Sequence, residues 1–71
     1  MIHHIAKITE IIGSSDKGWE DAAQVALAEA NKTIREITGI EVLNKTAMVD
    51  PNTGNITKYK TTIKLAFGVE R

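Results

Sequence analysis

Cysteine is absent from this 71-residue chain, which excludes disulfides and thiolate-held metals together. A surplus of either charge is absent too: nine basic and nine acidic residues cancel. A sequence-independent nucleic-acid binder needs basic charge to displace counterions from phosphates, so that class is excluded. No apolar run approaches the roughly 18 residues of a membrane span, and no basic-then-apolar leader pattern opens the sequence, so a cytoplasmic protein with no membrane partner is expected. Aromatic residues are scarce, with one Trp, one Tyr and one Phe. Trp19 therefore raises a question of its own, whether its indole is a ligand platform or only packs.

At 7.8 kDa there is room for one domain, residues 1–71. Surface scaling gives a folded monomer of this mass roughly 4,400 Å² of accessible area. So small a core leaves burial and chain ordering nearly balanced. With disulfides excluded, association is the expected remedy. His3 and His4 are neighbours in a strand-like stretch, where successive side chains point to opposite faces, so they cannot grip one ion.

Hydrophobic patterning divides the chain into four elements. "IHHIAKITEII" is β-branched and runs into Gly13, predicting a strand from about His3 to Ile12. Its apolar residues fall on both parities, Ile5 and Ile11 on one, Ala6, Ile8 and Ile12 on the other. Trp19, Ala22, Ala23, Ala26, Leu27, Ala30, Ile34 and Ile37 follow at helical spacing, predicting one amphipathic helix from about residue 17 to 36. Ser15 or Asp16 is expected to cap it, and Lys32 and Arg35 suit the negative end of its dipole. Its alanine-rich stripe permits close packing.

From Gly39 the period shortens. Ile40 and Val42 share one parity and Leu43, Ala47 and Val49 the other, as in a strand with a bulge. "DPNTGN", Asp50 to Asn55, reads as a hairpin loop, with proline fixing one turn position and Gly54 supplying a positive φ. In the last strand Tyr59, Thr61, Ile63, Leu65, Phe67 and Val69 alternate with Lys58, Lys60, Thr62 and Lys64. The expected fold is α+β: strand, helix, strand, strand, with a three-stranded antiparallel sheet wrapped on one amphipathic helix.

Reaction centres are harder to find. "GSSDKG" lacks the Gly-Lys-Ser/Thr ending of a phosphate-binding loop, and Asp16 repels phosphate there. The hairpin offers oxygens from Asp50, Asn52, Thr53 and Asn55, but a calcium loop needs glycine sixth and glutamate twelfth. Here Gly54 is fifth and Thr61 twelfth. The row Lys58, Lys60 and Lys64 reads either as an anion-steering surface or as a solvated face that discourages edge pairing. No nucleophile with a base beside it emerges, so the chain is not expected to be an enzyme.

"EIIGSS" leading into "WEDAAQVALAEANKTI", then "IEV", then "GNITKYKTTIKLAF" resembles the dodecins from about Lys7 to Val69. The resemblance implies a hollow homododecamer that binds and stores flavins: riboflavin, FMN or FAD. It also implies two ligand positions. A tryptophan at the start of the second strand stacks on the flavin ring in family members, and a glutamine on the third strand hydrogen-bonds to it. These positions fall on Gly39 and Lys60. Both family residues are replaced in this chain, which weakens the flavin expectation. Around "MVDPNTGNI" the sequence is similar to dodecin-like proteins that bind cations, and this implies the alternative, a non-flavin shell with a structural role or a divalent cation such as calcium.

Overall fold

The computed structural model describes residues 4–70, with side chains described within 9–66. The order is β1 (His4–Ser15), α1 (Trp19–Ala30), β2 (Ile37–Val49) and β3 (Ile56–Glu70). All three strands pair antiparallel, and β3 lies in the middle of the order β1-β3-β2. The expected α+β architecture of a three-stranded antiparallel sheet and one helix is present.

Alternation along β3 sets the two faces of the sheet. Thr61, Ile63 and Leu65 are fully buried beneath α1, where they meet Ala23, Ala26 and Ala30. Lys60, Thr62 and Lys64 alternate with them on the open face and are half-buried. The buried hydroxyl of Thr61 donates to the Trp19 carbonyl at 2.8 Å, which satisfies the one polar side chain among the described buried residues.

Alanine lets the helix lie very close to β1. A Cβ on Gly13 would stand 2.1 Å from the Ala22 carbonyl oxygen and 2.8 Å from the Ala26 Cβ. Gly13 is therefore a close-approach residue inside the strand, and β1 runs on to Ser15 instead of ending at Ile12. The expected start of that strand at His3 lies outside the described residues, as do the side chains of Ile5, Ala6, Ile8, Phe67 and Val69.

The helix departs from expectation at both ends. It starts at Trp19, with Gly18 at the N-cap in extended backbone and no side-chain cap. Ser15 is occupied elsewhere: its hydroxyl accepts from the Lys17 N–H and donates to Asp21 in the first turn of α1. Neither Ser15 nor Asp16 caps the helix. At the other end α1 stops at Ala30, six residues short of the expected 36. The Ala30 carbonyl accepts from the N–H groups of Thr33 and Ile34, and from the Thr33 hydroxyl. These bonds tighten the chain into a turn, and Glu36 then takes a positive φ of 59° as the chain enters β2. Lys32 and Arg35 lie beyond the helix, whose last turn carries no basic residue. Ile34 still packs on the core, from the turn.

β2 starts two residues earlier than expected, at Ile37, and shifts register against β3 at three places, Ile37/Gly39, Val42/Asn44 and Met48/Val49. The expected irregularity of this strand is present. The hairpin closes through Asp50 N–H to Asn55 O and Gly54 N–H to Asp50 O, both 2.8 Å, with Gly54 at φ +76°. The molecule is elongated, 60 × 19 × 13 Å, and exposes 5374 Å².

Candidate functional site

α1 packs over β1 and β3, which leaves the covered side of the edge strand β2 without a lid. Between them opens a cavity of about 470 Å³, walled by Trp19, Ala23 and Leu27 from the helix and by Ile40 and Val42 from β2, with Gln24, Glu20 and Lys45 at its polar margin. Register explains the wall. Ile40 stands opposite Leu65, Val42 opposite Ile63 and Lys45 opposite Thr61, so all three share the face of the buried residues.

Trp19 is held in this wall from three directions. Its indole N–H donates to the Thr46 carbonyl at 2.9 Å. Tyr59 meets it edge to face, with ring centroids 4.8 Å apart and planes at 79°. Its own carbonyl accepts from Thr61. The indole is thus a tie between the start of α1 and the free edge of β2. The indole both packs and walls the cavity, and its long-range bond to Thr46 is a feature that periodicity could not supply.

The two positions implied by family resemblance lie on the opposite face. Gly39 stands opposite Ala66, in the alternation that excludes buried Leu65. A Cβ added there meets nothing within 4 Å, so no packing requirement demands glycine. Its backbone also borders a cleft of about 310 Å³ with Leu27, Ile37 and Ile40. Lys60 stands opposite Ser14 on β1 and Thr46 on β2. Gly39 and Lys60 therefore share the open face, but one protomer does not bring them together: six residues of β3 separate their rows, about 20 Å at strand rise.

Charge on the open face is uneven. Lys64 stands between Glu10 and Glu41, and its Nζ lies 3.7 Å from a Glu41 carboxylate oxygen. Lys60 has hydroxyl residues on both sides and no ion pair among the described residues. In the hairpin, the Asp50 carboxylate accepts the Asn52 N–H at 2.8 Å and the Thr53 hydroxyl accepts the Asn55 N–H at 3.2 Å, so loop oxygens serve the turn itself. Among the described residues no three His, Asp or Glu side chains converge as metal ligands. No described helix is long and apolar enough to cross a membrane.

This arrangement of elements has close counterparts. A family model described as Dodecin matches residues 5–70. The dodecin of Thermus thermophilus is 30% identical over 66 residues, covering 93% of each chain. A crystal structure of a mutant of T. thermophilus dodecin shares the fold with a TM-score of 0.87 at 29% identity, over 97% of this chain and 100% of that one. The dodecin of Streptomyces coelicolor gives a TM-score of 0.87 at 26% identity, over 96% of this chain and 94% of that one. With the match spanning nearly every residue and the strand-helix-strand-strand order kept throughout, the chain belongs to the dodecin family.

Proposed function

We propose that this protein binds and stores a small molecule of the flavin class, as riboflavin, FMN or FAD, in a homododecamer of single-domain chains in the cytoplasm, and performs no catalysis. Membership of the dodecin family supports the ligand class. The observation that carries the reading is the open slot at Gly39: it is exposed, lies near the start of β2, and has free space where a side chain would stand. A Cβ placed there meets no protein atom within 4 Å.

The missing indole sets the strength. Stacking on an aromatic side chain is worth about 1–3 kcal/mol per ring contact, by analogy with bases on aromatic platforms. A slot floored by glycine holds a flavin correspondingly less tightly. This makes the protein a weak, exchangeable carrier.

Assembly is supported by surface chemistry. The exposed area of 5374 Å² exceeds the roughly 4,400 Å² expected of a compact monomer of this mass. Ile40, Val42, Leu43, Met48 and Val49 on β2 are each about two-fifths or more exposed, along a strand whose outer edge is unpaired. Such surface suits burial against further copies.

Riboflavin titration followed by flavin fluorescence tests the reading. Progressive quenching that saturates supports it; emission unchanged up to millimolar protein contradicts it. The non-flavin alternative, a shell with a structural or divalent-cation role, has no comparable observation in its favour, because the hairpin oxygens of Asp50 and Thr53 are engaged within the loop.

A further inference from the structure

The helix-side cavity differs from the rest of the surface in three respects. Its apolar wall is not closed by the chain: Ile40 and Val42 stay 41% and 44% exposed although they share the face of the fully buried Ile63 and Leu65. Its one aromatic wall is fixed in advance, since the Trp19 indole is held by the Thr46 carbonyl and by the Tyr59 ring. Its polar margin is of mixed sign, with Glu20 and Gln24 from α1 and Lys45 from β2. Glu20 and Lys45 form no ion pair among the described residues, and the Gln24 amide forms no hydrogen bond there.

Each respect narrows the occupant. A volume of about 470 Å³ falls within the range of small-molecule pockets, and the cavity opens on the opposite side of the sheet from Lys60. An indole already held in place needs no ordering on binding and favours a flat ring stacked against it. Opposite charges cancel at the margin, so it selects neither an anionic nor a cationic ligand. The free amide of Gln24 offers a donor and an acceptor side by side, the pattern that a nucleobase edge completes. We propose that the cavity between α1 and β2 binds a neutral nucleobase-like ring, stacked on Trp19 and hydrogen-bonded by Gln24. This site does not rest on the flavin function proposed above.

Adenosine is the probe, titrated into the native assembly, Val42→Phe, Gln24→Ala and Lys60→Gln, with sedimentation run on each protein. Trp19 is the only tryptophan of the chain, so its emission reports on the cavity directly. Calorimetry gives a second readout that does not depend on the surroundings of the indole. Saturable quenching with matching heat at millimolar adenosine is expected for the native protein and K60Q. V42F, whose ring takes up the ligand's space, is expected to weaken binding about tenfold or more with the particle mass unchanged. Q24A is expected to weaken it about two- to tenfold, the equivalent of one net hydrogen bond. No saturable signal in the native protein, undiminished affinity in V42F, or equal losses in K60Q and V42F overturns the site. Binding of a naphthalene sulfonate but not of adenosine overturns the nucleobase class. Dissociation of the particle by V42F overturns the proposal too, because the cavity is then the seat of a second copy.

Discussion

Gly39 and Lys60 lie on the same face of one sheet, yet Gly39 pairs with Ala66 and Lys60 with Thr46, about 20 Å apart along β3. On the function proposed above, a flavin ring is expected to contact both positions only where two copies of the chain meet. Flavin binding is therefore expected to depend on assembly. Sedimentation is expected to show a particle near twelve times the 7.8 kDa chain. Conditions that dissociate it while the protomer stays folded are expected to abolish flavin quenching; a stable monomer that quenches fully contradicts this.

The contact between Gly13 and α1 is expected to tolerate no side chain. An alanine at position 13 drives its Cβ into the Ala22 carbonyl, 2.1 Å away, and backbone cannot rotate aside. The helix must lift from β1 or the strand must bend, at a cost of about 1–3 kcal/mol or more for overpacking. Urea denaturation of Gly13→Ala followed by circular dichroism measures this, and a change under 0.5 kcal/mol, about the scatter of neutral substitutions, would refute it.

Trp19→Phe keeps an aromatic ring against Tyr59 but removes the donor to the Thr46 carbonyl. On an exposed edge strand that hydrogen bond is worth about 1 kcal/mol net. The same loss frees β2 from the start of α1, so hydrogen exchange at Lys45 to Ala47 is expected to accelerate while β1 and β3 stay protected. Uniform acceleration across the sheet would place Trp19 in the general core instead.

Much of this fold is legible in the sequence because its strongest signals are local. The alternation of Thr61, Ile63 and Leu65 gives β3 its buried face, and "DPNTGN" gives the hairpin. The helix end is not legible, since Ile34 keeps the helical phase while packing from a turn, and no periodicity separates the two. Gly13 misleads in the same way: a glycine that reads as punctuation is there because another backbone passes close by. Of the candidate site, residue pattern alone marks neither Gly39 nor Lys60 as a pair; resemblance names them, and register shows that they share a face. The difference between Lys60 and Lys64 depends on which residues stand opposite across two strand pairings, a relationship spanning the whole chain.

The most direct test of the central claim is a riboflavin fluorescence titration of the native assembly beside Gly39→Trp. A Cβ at position 39 meets nothing within 4 Å, and Trp suits a strand better than glycine does. The account predicts weak, saturable quenching by the native protein, and binding tightened roughly 5- to 150-fold in the variant, the equivalent of about 1–3 kcal/mol of restored stacking. Absence of quenching in both proteins, with the assembly intact, would contradict it.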